Sequence, residues 1–130
     1  MTDSVRHPPR IDHFTVTKVL GTGGMGTVYL GFDERLHRDV AIKVLKSERR
    51  FNISAERRFL REARLLSKLN HPNICQVYDL IEREGRRSLI LEFVEGESLK
   101  EAAARGLDET GILRVIHQTA LALDAAHREH

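Results

Sequence analysis

The sequence predicts an α+β fold: five antiparallel strands with one amphipathic helix laid across them, followed by two more helices. Three observations predict it. A glycine run at Gly21, Gly23, Gly24 and Gly26 separates two stretches rich in β-branched and aromatic residues. A second apolar run, Asp39-Val40-Ala41-Ile42-Lys43-Val44-Leu45, has the length and composition of a buried strand. Phe59, Ala63 and Leu66 then recur at helical spacing between residues 55 and 69.

In chain order, residues 1–13 are polar, carry Pro8-Pro9 and show no hydrophobic period, so they read as a flexible tail. The first strand runs over 14–20 and the second over 27–32, with the glycines at the tip between them. Glycine tolerates positive φ and lets backbone come very close to a ligand. A row of free N–H groups in such a loop forms a concave site for anions. In a dinucleotide-binding fold the third glycine opens a helix. Here Thr27-Val28-Tyr29-Leu30 continues as a strand, and the dinucleotide reading fails. A charged turn, 33–38, leads to the third strand and its one interior charge, Lys43. An isolated strand lysine lays its stem on apolar surface and sends its ammonium to water. Beside a glycine hairpin we read Lys43 as a cation that reaches the same phosphates.

The helix spans about 55–69, with Ser54 as N-cap. Phe59, Ala63, Leu66 and Asn70 share one stripe, Glu62 lies beside it, and the arginines fall mainly opposite. A carboxylate at the edge of an apolar stripe needs a partner. A surface pair with Arg58 would be worth only a few tenths of a kcal/mol. Pro72 ends the helix. Two further strands follow at 74–81 and 88–93, with the polar turn 82–87 between them. Cys75, the single cysteine, falls in the first of these and reads as a small buried hydrophobe. A short helix over 98–104 precedes Gly106. Asp108 then caps a longer helix over 109–127, whose Ile112, Val115, Ile116, Thr119 and Leu123 form an apolar face.

Composition narrows the function classes. The chain has 130 residues, 41% hydrophobic and 31% charged, which suits one globular unit. Arg49, Arg50, Arg57, Arg58, Arg61 and Arg64 cluster, yet few aromatics lie among them and the net charge is only +2. A solvated helix face is expected there, not a nucleic-acid surface. No apolar run approaches the ~20 residues of a membrane span, and a lone cysteine fits the reducing cytoplasm. The histidines show no ligand spacing, so no metal site is expected.

Gly21-x-Gly23-x-x-Gly26-x-Val28 and Val40-Ala41-Ile42-Lys43 occur in this order, both on predicted strands. They resemble the glycine-rich loop and the third-strand lysine motif of the protein kinases. The wording GTGGMGTVYLGFD is most similar to the Ser/Thr kinases of bacteria. The resemblance implies a protein-kinase-like N-lobe over 14–94, a five-stranded antiparallel sheet plus the C helix. Residues 95–130 become the hinge exit and the first helices of a truncated C-lobe. Leu69-Asn70-His71-Pro72-Asn73-Ile74 resembles the turn after the C helix and makes His71 a structural residue.

By the same resemblance Leu20, Gly21, Thr22, Gly23, Gly24, Met25, Gly26 and Thr27 cover the phosphates of ATP. Val28 and Ala41 roof the adenine. Lys43 contacts the α- and β-phosphates and Glu62 holds it, with Glu56 a less well placed substitute. Leu91-Glu92-Phe93-Val94-Glu95-Gly96 resembles the gatekeeper and hinge. Leu91 is then the gatekeeper, and the backbones of Glu92 and Val94 bond the adenine edge. The segment 126–130 resembles the residues just ahead of the catalytic loop. The H-R-D-x-x-x-x-N and D-F-G motifs, with the catalytic aspartate and the Mg²⁺ ligands, would fall past His130.

Two functions follow from different classes. The first is the ATP-binding part of a Ser/Thr protein kinase, with ATP, Mg²⁺ and a protein Ser or Thr as the implied partners. The second is a catalytically dead module that binds a nucleotide or a partner. We favour the first, because every nucleotide-side residue is present. In either case these 130 residues alone are expected to be inactive and to self-associate through the apolar face of the last helix.

Overall fold

The computed structural model describes residues 8–24, 26–45 and 53–129; the side chains of residues 53–56 and 58 lie outside that description. Six strands form one antiparallel sheet: β1 (Arg10–Ile11), β2 (Phe14–Gly23), β3 (Gly26–Asp33), β4 (Arg38–Leu45), β5 (Val77–Arg83) and β6 (Arg86–Glu92). Their spatial order is β1-β2-β3-β4-β6-β5. The helices are α1 (Ile53–Lys68), α2 (Leu99–Arg105) and α3 (Glu109–Arg128).

The five expected strands are present, and a sixth precedes them. β1 lies inside the stretch read as a flexible tail, because Asp12 adopts a left-handed φ of 53° and folds the chain back. Arg10 then pairs with Thr15 and Ile11 with Phe14, and the Val16 N–H donates to the Pro9 carbonyl at 3.1 Å. Two residues are too short to show a period, so composition alone hid this strand. What secures it is long-range: Ile11 packs against the core.

Alternation along β4 splits the interior between the two sheet faces. Val40 and Ile42 join Phe14, Val16 and Ile90 in one cluster, padded by Ile11, Tyr29, Val44 and Ile81. On the other face Phe59 and Ala63 of α1 pack on Val77 and Leu89. The expected helix stripe needs one correction. Leu66 is 38% exposed, and Leu69, just past the helix end, is buried instead. α1 also starts at Ile53, so Ser54 lies within its first turn and not ahead of it.

The expectations for His71 and Cys75 divide. His71 is structural as read, since its Nδ1 accepts the Asn73 N–H at 3.1 Å. Cys75, in contrast, is exposed. The strand begins only at Val77, so Cys75 sits in the preceding loop and donates to the Glu92 carbonyl at 3.4 Å. Partial burial, with the nearby Glu92 carboxylate, pushes its thiol above the ordinary value.

The buried Asp33 closes the β3–β4 connection. Its Oδ1 accepts the N–H groups of Arg35 and Leu36, each at 3.0 Å. Burial alone would raise its carboxyl. The two N–H donors, with His13 and Arg38 nearby, hold it below the ordinary value.

α3 starts where its expected Asp108 cap predicts, whereas α2, expected from Ser98, starts at Leu99 because Ser98 is its N-cap. Ser98 and Glu101 form a capping box at α2, and Gly106 follows at φ 100°. The Asp108 carboxylate accepts the Gly111 N–H at 2.7 Å to open α3. α3 buries none of its residues. Ile112 is 47%, Ile116 59% and Leu123 53% exposed. Asn73 reaches α3 through its side-chain amide, which donates to the Gln118 carbonyl at 3.3 Å.

Candidate functional site

The sheet register builds the site. Gly21 pairs with Val28, Val28 with Lys43, and Lys43 with Leu89. Two rungs along, Leu30 pairs with Ala41, Ala41 with Leu91, and Leu91 with Val77. Residues two apart on a strand share a face, so Val28, Leu30, Ala41, Lys43 and Leu91 all lie on the α1 side of the sheet. Strands stand about 4.8 Å apart, which puts the Gly21 backbone roughly 10 Å from the Lys43 backbone across one intervening strand. Four residues expected to cooperate, Val28, Ala41, Lys43 and Leu91, are thus brought together. Leu30 joins them, although neither motif includes it. The signal was the strand alternation, Val28 and Leu30 being two apart.

Gly21-Thr22-Gly23 and Gly26-Thr27 form the closing rungs of the β2–β3 hairpin, with Leu20 41% exposed beside them. The glycines differ in kind. At Gly21, Gly23 and Gly24 a Cβ would meet nothing within 4 Å, so packing does not demand glycine there. At Gly26, φ is +147° and a Cβ would fall on the Val44 carbonyl oxygen. The first three keep a strip of main chain bare for close approach; the fourth is required by the fold. Met25, between them, lies outside the described residues.

At the far end of the shelf, β6 stops at Glu92. The Glu92 N–H donates to the Gln76 carbonyl at 2.8 Å, and its carboxylate accepts the Gln76 N–H at 3.1 Å. This clasp was not legible from the motif. It fixes the strand exit, so that Val94, 66% exposed, follows with no hydrogen bond among the described residues.

One expected contact is not made. Lys43 is half-buried on β4 and Glu62 is exposed on α1, and among the described residues neither side chain makes a hydrogen bond or an ion pair within 4.0 Å. α1 rests on the sheet through Phe59 and Ala63, and that seating leaves the two charges apart. The side chain of Glu56 lies outside the described residues. Among those residues no group of three or more His, Cys, Asp or Glu could hold a metal ion.

Chemically, the shelf offers apolar cover from Val28, Leu30, Ala41 and Leu91, free backbone at Val94, a cation at Lys43 and bare backbone at the glycine tip. A flat heteroaromatic body with an anionic tail fits that order of groups.

Comparison with known proteins agrees with this arrangement. Residues 14–130 match the family model described as protein kinase domain. Serine/threonine-protein kinase pkn2 of Myxococcus xanthus is 44% identical over 115 residues, 88% of this chain and 14% of that protein. PrkC of Bacillus subtilis is 40% identical over 117 residues, 88% of this chain and 18% of that protein. The solved kinase domain of Mycobacterium tuberculosis PknI superposes with a TM-score of 0.76 at 32% identity, covering 89% of this chain and 48% of that one. The chain therefore spans about half of that solved domain and under a fifth of the two curated relatives. With its sheet and helices matched to the N-terminal portion of such domains, this chain belongs to the protein kinase domain family.

Proposed function

We propose that this chain is the ATP-binding part of a Ser/Thr protein kinase that transfers the γ-phosphoryl group of ATP to a protein hydroxyl. The observation that carries this reading is the pair of alternate rungs, Val28–Lys43 and Ala41–Leu91, on one face below the bare glycine tip. Such transfer asks little covalent chemistry of a protein and rests on positioning and charge stabilisation. The backbone from Leu20 to Val28 covers the phosphates, and Lys43 meets the α- and β-phosphates. Val28 and Ala41 roof the base, while Glu92 and Val94 offer backbone to its edge. Glu62 restrains Lys43 once α1 moves closer to β4.

Mg²⁺ supplies charge neutralisation at the phosphates when bound. Among the described residues no group of three or more His, Cys, Asp or Glu could hold it. By themselves these 130 residues carry no match to the family's catalytic aspartate and are expected to transfer no phosphoryl group. We place the chain in the cytoplasm, on the chemistry of ATP use and a single, unbridged cysteine. Among the described residues no helix is long and apolar enough to cross a membrane.

Amide NMR during titration with a non-hydrolysable ATP analogue tests the reading. The expected result is saturable shifts at Gly21, Gly23, Val28, Ala41, Leu91 and Val94. Shifts confined to the opposite sheet face, or none at millimolar nucleotide, would overturn it.

The α3 face supports a second proposal, self-association of the isolated chain. Ile112, Ile116 and Leu123 stay exposed, and contiguous apolar surface of this kind favours association. Sedimentation should show concentration-dependent dimers or larger species, diminished by Ile116→Glu. A strict monomer at high concentration would contradict it.

A further inference from the structure

The sheet curls until its two outer strands approach. Arg83, at the end of β5, donates through Nη2 to Asp12 ahead of β2, although 71 positions separate them. Between β1 and the β5–β6 hairpin lies a cavity of about 300 Å³, on the face opposite Lys43. Its floor is Ile11, Tyr29, Val44 and Ile81, the four side chains that pad the first core cluster without being fully buried. The register accounts for this floor. Tyr29 sits opposite Ile42, and Val44 and Ile81 both sit opposite Ser88. All of them therefore share the face of Ile42 and Ile90. Mouths of curled and closed sheets are recurrent ligand sites, and this volume lies at the low end of the ~300–1,000 Å³ typical of them.

Three polar side chains of the lining, Ser88, Arg86 and Glu84, make no hydrogen bond or ion pair among the described residues. Ser88 is 5% exposed and lines the cavity, and among the described residues no hydrogen bond reaches its hydroxyl. The other buried polar side chain, Asp33, is satisfied by two N–H donors. The Ser88 oxygen is not among the fully enclosed side-chain atoms that lack a partner, so it opens onto the cavity, where a ligand can bond it. At the rim Arg10 is taken by Glu34, and Arg83 by Asp12. Arg86 and Glu84 remain, neither with an ion pair among the described residues. Arg86 shares the cavity face with Ser88, two residues along β6, whereas Glu84 sits in the turn at a φ of 51°.

We propose that this cavity binds a compact apolar carboxylate: an aromatic or branched aliphatic body on the Ile11–Tyr29–Val44–Ile81 floor, its carboxylate on Arg86, and a hydrogen bond to Ser88. The site is separate from the nucleotide shelf and does not depend on the kinase reading.

The probe is 2-naphthoic acid, with the neutral 2-naphthylmethanol as comparator, titrated into the ¹⁵N-labelled chain. The expected result is saturable shifts over Arg10–Asp12 and Ile81–Ser88, undiminished by a saturating ATP analogue. Arg86→Gln should weaken the acid about tenfold and leave the alcohol unchanged, as loss of one charge-assisted contact requires. Ser88→Ala should weaken both probes. Arg86 is exposed, so its variant keeps the test sound even if Ser88→Ala disturbs the core. Shifts confined to Val28, Ala41 and Leu91, non-saturable binding, or equal affinity of the acid for the Arg86→Gln variant would each overturn the proposal.

Discussion

Replacing Lys43 by methionine in a complete kinase that contains this chain should lower kcat/KM by roughly 10²–10³-fold, the typical cost of removing one preorganised electrostatic contact. Methionine keeps an unbranched apolar stem of similar length, so the half-buried position on β4 stays filled and Tm should hold. What disappears is the ammonium. Transfer of labelled phosphate from ATP to a protein substrate measures the loss. Lys43→Arg retains charge in a different shape and should rescue only part of the activity. Turnover at the parent level in Lys43→Met would leave Lys43 as a strand residue that merely sends its charge to water. The same enzyme resolves the unmade pair. If α1 moves to bring Glu62 onto Lys43 during the reaction, Lys43→Met and Glu62→Gln lose far less together than the sum of their separate losses. Independent losses would mean that Glu62 acts elsewhere.

The second large effect falls on stability. Gly26→Ala should destabilise the chain by about 3 kcal/mol, the upper end of the cost of a strained backbone position. Two causes act together at this residue. Its φ of +147° is a conformation L side chains rarely adopt, and the new Cβ would land on the Val44 carbonyl oxygen, a backbone atom that cannot swing aside. β3 and β4 would have to separate at their first rung, Gly26–Leu45. Gly23→Ala is the control. Nothing lies within 4 Å of its Cβ, so its stability should stay within about 0.5 kcal/mol of the parent, while nucleotide affinity falls because the added methyl crowds the phosphate approach. Thermal unfolding and analogue titration of both variants separate the roles. Equal stability of the two would show that Gly26 is not held as the structure places it.

Much of this was legible because it is local. The glycine hairpin, the strand around Lys43 and the cap at Asp108 depend on neighbours within a few residues: β propensity, period, and a side-chain oxygen three positions from the N–H it accepts. The apolar face of α3 was legible for the same reason, since Ile112, Ile116 and Leu123 recur at helical spacing whatever lies opposite. Motif order then linked the glycine tip to Lys43, and pairing Val28 with Lys43 put them on one face.

Other features depend on residues far away in the chain and left no local trace. β1 exists because Ile11 meets the core and Asp12 reaches Arg83. Cys75 is exposed because the Gln76–Glu92 clasp, not an extension of β5, governs its segment. Which glycine the fold requires was decided by one carbonyl, that of Val44, on the neighbouring strand. The distance between Lys43 and Glu62 was decided by how Phe59 and Ala63 seat α1 on the sheet. The sequence by itself determined five of the six described strands, the three helices, the Asp108 cap and the family, since propensity, spacing and motif act over short separations. Tertiary structure alone decided faces, exposure and seating, because these depend on contacts between residues distant in the chain, which no short window contains.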